Sequence, residues 1–313
     1  MDLAGLDTLG TESADQRLAC IDTWSVAELA QAMNENDRSV PEAITQALPQ
    51  LIPALQAVCA RMVGSAQLPG GRLIYVGAGT PGRLGILDAA ECPPTFSVSP
   101  KLVQGLIAGG SPAIVNAVEG AEDNKAAGAA DIAALGVGAS DSVLGISASG
   151  RTPYVIGALS RARELGACTV GFSCNSSAEL SAYAEYAVEV VLGPEFIAGS
   201  TRLKAGTAQK LVLNMFSTIA MVRLGKTYGT LMVDVKASNV KLRERAIRLV
   251  RQISGADRPA ATAALAAADW QVKPAVVMLL CATDAEAAER LLTQASGRLR
   301  AVLETAGKEI KGN

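Results

Sequence analysis

Two periodicities alternate along this chain. Between residues 72 and 192, short runs rich in Val, Ile and Leu are separated by longer stretches in which apolar positions return every three or four residues. The short runs predict strands buried on both faces, and the longer stretches predict amphipathic helices. Strands are expected at 72–76, 102–107, 141–146, 168–173 and 187–192. Helices are expected at 83–90, after Ser111-Pro112, at 124–135 and at 153–165, the last closed by Gly166. Strand and helix in alternation predict an α/β fold, a five-stranded parallel sheet flanked by helices.

The flanking regions read differently. Residues 1–22 are polar and irregular, with Thr11-Glu12 the one notable pair. Helices follow at 25–36, where Ser25 and Glu28 form a capping box, and at 41–63. A long apolar helix is expected at 204–224. Residues 239–313 are helical by pattern, with a capping box at Thr283 and Glu286, and lack a glycine-rich loop. The expected division is an N-terminal helical segment (1–62), the sheet domain (63–226) and a small all-helical C-terminal domain (227–313).

Composition narrows the chemistry. Half of the 313 residues are hydrophobic, enough for a large core, and 28 Lys+Arg against 30 Asp+Glu give a net charge of −2. With no basic run, nucleic acid is not an expected partner. No stretch reads as a membrane span and the N-terminus has no basic leader, so no membrane partner and a cytoplasmic location are expected. The six cysteines form no Cys-x-x-Cys pair, which predicts buried, inert thiols with no disulfide or metal role. The chain has no histidine. That removes Ser-His-Asp and Cys-His nucleophiles and His-based zinc sites together, leaving proton transfer to carboxylates, Lys, Tyr or Cys.

Two loops carry the candidate chemistry. Gly77, Gly79 and Gly82 follow the first strand and open a helix, where bare N–H groups and the helix dipole favour an anion such as phosphate. Gly79, Thr80, Gly82 and Arg83 are therefore candidate contacts. Asp88 and Glu91, three residues apart, share a helix face. Cys92-Pro93-Pro94 is expected to end that helix and pin Glu91 at a loop junction. The glycine spacing fits a dinucleotide fingerprint only weakly, since the next strand ends in Ala108-Gly109-Gly110 with no acid for a ribose. Gly225-Lys226-Thr227 resembles a nucleotide-loop ending but reads as an ordinary turn. The second loop, Ser147-x-Ser149-Gly150-x-Thr152, offers three hydroxyls at a strand-to-helix turn, suited to a phosphate. Asp88, Glu119 and Asp123 are expected to cap helices or face solvent. Arg202 and Lys204 either meet the phosphate or cover the surface.

Four segments then resemble one family. They are 77–96 (Gly-Ala-Gly-Thr-Pro-Gly-Arg through Asp-Ala-Ala-Glu-Cys-Pro-Pro-Thr-Phe), Val-Glu-Gly-Ala-Glu-Asp at 118–123, Ser-Ala-Ser-Gly-Arg-Thr-Pro-Tyr at 147–154, and 199–215. Together they are similar to the N-acetylmuramic acid 6-phosphate etherases, from about Trp24 to Arg300. The resemblance implies a sugar-isomerase (SIS) type of sheet domain, a homodimer, and no metal or other cofactor. It further implies a lyase of cell-wall recycling whose small-molecule phosphosugar substrate is split to N-acetylglucosamine 6-phosphate and D-lactate.

Carried over residue by residue, the catalytic acids match Glu91 and Glu122, and the phosphate loop matches Ser147, Ser149 and Thr152. Four residues depart from the family pattern: Pro81 replaces a serine, Ala90 replaces a serine, and Ser176-Ser177 stands where Pro-Gly is common. Pro81 removes one hydroxyl and one backbone donor from the first loop.

The implied reaction suits a site without histidine. In the open-chain sugar, C2 lies α to the aldehyde; one carboxylate takes its proton, another group protonates the departing ether oxygen at C3, and water then adds. Carboxyls near pKa ~4 need burial to work near ~6–7, so two carboxylates in different surroundings would divide the roles. Glu91 is expected as the acid and Glu122 as the C2 base. A phosphosugar sensor without turnover and an aldose–ketose phosphosugar isomerase are the alternatives.

Overall fold

The computed structural model describes residues 9–65, 67–235 and 239–307. Five strands, β1 (Leu73–Gly77), β2 (Val103–Ile107), β3 (Ser142–Ile146), β4 (Cys168–Ser173) and β5 (Tyr186–Glu189), form one parallel sheet in the order β2-β1-β3-β4-β5. Every residue of β1, β3 and β4 is buried, which is why these strands are mostly apolar and show no alternation, with Ser142, Thr169 and Ser173 as buried polar exceptions. Gly77 pairs with both Ile107 and Ile146, so β1, β2 and β3 finish level with one another. The strand order reverses between β1 and β3, and parallel sheets of this kind open a ligand crevice at that point, beyond the carboxyl ends. The loops after β1 and β3 flank it.

The helices are α1 (Val26–Asp37), α2 (Ser39–Val63), α3 (Thr80–Phe96), α4 (Lys125–Ala134), α5 (Pro153–Glu164) and α6 (Lys204–Arg223). Ser25 and Glu28 do form the reciprocal capping box at α1. Contacts divide the chain into two compact units, Met1–Ala90 with Pro100–Thr218 and Glu91–Ser99 with Ile219–Asn313. The second unit contains the hairpin β6 (Thr227–Tyr228) and β7 (Leu231–Met232). It also holds α7 (Val240–Ser254), α8 (Arg258–Ala267), α9 (Val272–Cys281), α10 (Ala285–Gln294) and α11 (Leu299–Thr305). Its own core gathers Val233, Ile247, Val250, Leu265, Val276 and Leu303.

Several expectations need correcting. α3 does not stop before Cys92 but runs through Pro93 and Pro94 to Phe96. Both prolines sit in its final turn, and the amide of Ser97 closes that turn on the Pro93 carbonyl at 3.0 Å. Glu91 therefore stands on a helix, not at a loop junction. Ser111-Pro112 opens only a 3-10 turn, Ser111–Ile114, without a side-chain cap. The cap of α10 is Asp284, one residue beyond Thr283, and its carboxylate accepts from the Ala287 amide. By length and composition, the helical stretch Val26–Val63 could cross a membrane. In α2, however, Val40, Ile44, Leu51, Leu55 and Val58 are buried in a helix that packs on β5 and β4, so its apolarity is that of a core helix. Of the cysteines, Cys59, Cys92, Cys168 and Cys174 are buried, whereas Cys20 is exposed and Cys281 half-buried.

Candidate active site

The first loop is shaped by backbone. Gly79 has φ 57°, a left-handed conformation that suits glycine, and Thr80 begins α3. Pro81 is the second residue of α3, where a helix amide has no intrahelical acceptor, so its ring is tolerated and only a donor toward an anion is lost. Arg83 does not point freely at the loop. Its Nε donates to the Ile114 carbonyl at 2.8 Å and a terminal nitrogen donates to Asn116 at 3.3 Å, tethering the segment that leads to Glu122.

The second loop is wired by side chains. Ser147 is buried, and its Oγ lies 2.7 Å from Thr152 Oγ1 and 3.3 Å from Ser149 Oγ while accepting the Gly150 amide at 3.0 Å. The Arg151 amide donates to Ser149 Oγ. Gly150 has φ 75°, and a Cβ there would fall on that of Ala178. From behind, Asn175 donates to the Ala148 carbonyl and to Thr11 Oγ1, each at 3.0 Å. Thr11 is fully buried, so part of the N-terminal stretch read as irregular braces this loop.

Glu122 is held where the two loops meet. Its main-chain carbonyl accepts the Tyr154 amide at 2.9 Å, two residues past Thr152 in the first turn of α5. Glu122 also lines a cavity of about 200 Å³ together with Gly79, Arg83, Ala108, Glu119 and Gly120. The cause lies in the packing of α4 on α5. A Cβ at Gly128 would fall on the Tyr154 carbonyl oxygen, and one at Gly157 on the Lys125 carbonyl oxygen, so the two helices touch backbone to backbone. Beyond the glycines, Tyr154 donates its hydroxyl to Asp131 at 2.5 Å, and burial with that acidic acceptor pushes the phenol pKa up. The segment before α4 is thereby set against the segment before α5.

The remaining candidates are dispersed. Glu91 is exposed, does not belong to the wall of the Glu122 cavity, and falls in the second compact unit. Asp88, expected to cap or face solvent, is instead buried. It accepts from Tyr75 at 2.7 Å, Asn214 at 2.6 Å and Ser217 at 3.1 Å, bolting α3 to β1 and α6. Glu119 and Asp123 are exposed, as expected. Lys204 is buried, with Nζ donating to the Leu192 carbonyl at 3.0 Å, while Arg202 is exposed. Burial pushes the Lys204 pKa down, and nearby Glu195 opposes that. Among the described residues no cluster of His, Cys, Asp and Glu could hold a metal. Burial raises the Cys168 thiol to about 11 and the Cys174 thiol further, so neither is a ready nucleophile.

Sequence reasoning missed the supports. Glu195, 1% exposed, accepts the amides of Lys204 and Ala205 at the start of α6. Neither it nor Asn175 had a motif to announce it. Gly128 and Gly157 did leave a trace, because glycine inside a helix is costly by about 1 kcal/mol against alanine and calls for a packing reason.

A family model for the glucokinase regulatory protein N-terminal SIS domain matches residues 54–163. The chain is 55% identical over 303 residues to the N-acetylmuramic acid 6-phosphate etherase of Streptomyces avermitilis, covering 97% of this chain and 96% of the relative. It is 52% identical over 298 residues to that of Serratia proteamaculans, covering 95% and 99%. A solved phosphoheptose isomerase from Francisella tularensis overlays with TM-score 0.47 and 20% identity, covering 62% of this chain and 98% of the other.

Proposed function

The chain belongs to the N-acetylmuramic acid 6-phosphate etherases, and on that premise we propose that it is a carbon–oxygen lyase cleaving the D-lactyl ether of N-acetylmuramic acid 6-phosphate. The observation that carries this reading is the placement of Glu122, which shares a cavity wall with Gly79 and Arg83 and is tied by its carbonyl to the helix that follows the hydroxyl loop. Ser147, Ser149, Gly150 and Thr152 hold the phosphate by neutral hydrogen bonds at the start of α5, with Thr80 and Gly82 at the start of α3 as further donors. Lys204 adds positive charge near that end of α6; a Cβ on Gly206, two residues on, would lie 3.6 Å from Thr80 Cγ2.

The reaction runs as an elimination and an addition. Glu122 takes the C2 proton, Glu91 protonates the ether oxygen, and the C3–O bond breaks to release D-lactate. Water then adds across C2 and C3, with hydroxyl to C3 and a proton to C2, giving N-acetylglucosamine 6-phosphate. Both glutamates are exposed in the single chain. The burial that acid–base catalysis by carboxylates calls for therefore comes from the bound sugar and from a second protomer of a homodimer. No cofactor takes part in any of these steps.

Incubation with N-acetylmuramic acid 6-phosphate tests the reading. Stoichiometric D-lactate and N-acetylglucosamine 6-phosphate are expected. Binding without lactate release would favour a sensor, and a ketose product without lactate an isomerase; either overturns the proposal.

A further inference from the structure

The helical unit contains a cavity of its own. It measures about 580 Å³, and all of its wall comes from the second compact unit, chiefly Lys226, Asp234, Trp270, Gln271, Lys273 and Thr293. That volume is within the range of small-molecule sites, about 300–1,000 Å³.

Its charge is unbalanced at the floor. Lys273, with only 8% of its side chain accessible, places Nζ 2.7 Å from Asp234 Oδ2, and Lys226 places Nζ 3.1 Å from the same oxygen. A buried ammonium ordinarily needs its own carboxylate, because desolvation is otherwise uncompensated. Here two cations share one carboxylate, so the trio Lys226, Asp234 and Lys273 in the wall carries one net positive charge. The other two carboxylates of the wall, Asp269 and Glu289, are exposed and screened by water.

The backbone of the wall is unusual as well. Among the described residues six non-glycine residues have positive φ, and Ser97, Asp269 and Trp270 of this cavity are three of them. A tryptophan at φ 60° is a genuine outlier, and such strain gathers at ligand sites. The indole is fixed by the Arg243 guanidinium, 4.7 Å from the ring centroid. The wall thus combines a cationic floor, one braced aromatic ring, and the polar groups of Gln271, Thr293 and Ser97.

We infer that this cavity is a second small-molecule site, separate from the one containing Glu122, and that it takes a hydroxylated anion, a sugar phosphate or a sugar acid. The anionic group meets Lys226 and Lys273, and the hydroxyls meet the amide and hydroxyl side chains. Binding at this cavity stands apart from the etherase reading, which enters only through the activity used as a control.

Tryptophan fluorescence isolates the site. The chain has two tryptophans, so Trp24→Phe leaves Trp270 as the sole reporter. The full chain carrying that change is titrated with glucose 6-phosphate and, separately, with gluconate, which tells phosphate from carboxylate. A saturable change in Trp270 emission with at least one of them is expected. Lys226→Met and Thr293→Phe, the latter at an exposed position in the wall, should each weaken it at least about tenfold while lactate release stays within about twofold. No saturable change with either anion, or a change that both substitutions leave intact, overturns the inference.

Discussion

The loops after β1 and β3 sit at one sheet edge, yet they are built on opposite principles. The β3 loop is internally bonded: the buried Ser147 hydroxyl engages Thr152, Ser149 and the Gly150 amide, and Asn175 with Thr11 braces it from behind. The β1 loop relies on a glycine turn and a helix start, and the arginine beside it, Arg83, is bonded to another segment. The first arrangement resembles a preformed socket and the second an open platform. Substitutions in the β3 loop should therefore change stability and binding together, whereas those in the β1 loop should change binding alone.

The severest test acts on what brings the loops together. Gly157→Ala forces α5 away from the Lys125 carbonyl. The expected loss is about 3 kcal/mol of unfolding free energy, read from the urea midpoint, because a backbone contact cannot yield as a side chain does. Activity should fall further than the folded fraction, since Glu122 moves with α4.

Ser147→Ala contrasts the loops directly. Losing a buried hub hydroxyl should cost about 1–2 kcal/mol in stability and raise KM about tenfold. Thr80→Val on the β1 loop should raise KM while stability stays within about 0.5 kcal/mol. Equal stability losses in the two variants would erase the distinction.

Pro81→Ser restores a hydroxyl and an amide to the platform. KM should fall roughly threefold to tenfold, with stability lowered by less than about 1 kcal/mol because the unfolded chain becomes freer. The smallest effect is expected in the segment behind the β3 loop. Ser177 has φ 53°, a left-handed conformation, where the family pattern has glycine. Ser177→Gly should stabilise the protein by about 1 kcal/mol with unchanged turnover, measured as a shift in Tm.

The legible features were those with local causes. The strands are short, mostly apolar runs between helical stretches, so all five were placed within about three residues, the partly buried edge strand β5 least closely. Ser25 with Glu28 likewise announced the start of α1. The end of α3 was misread because Pro-Pro usually stops a helix, whereas here Pro93 and Pro94 give up two amide donors in the last turn and the Ser97 amide still closes that turn on the Pro93 carbonyl. The bond from the Tyr154 amide to the Glu122 carbonyl was invisible in principle. Main-chain groups are the same at every residue, and only the fold determines which of them meet. Glu91 stood out locally, sharing a helix face with Asp88 past the glycine loop, whereas Glu122 stood out only by resemblance to a family, and the wall that Glu122 shares with Gly79 and Arg83 emerged only with the fold.

The most direct test of the account is Glu122→Gln, assayed with N-acetylmuramic acid 6-phosphate for substrate affinity, for solvent deuterium exchange at C2 and for lactate release. The account predicts affinity within about threefold of wild type, with exchange and lactate release both reduced by at least about 10³-fold, within the range of a lost general base. Near wild-type lactate release, or C2 exchange that persists unchanged, would contradict it.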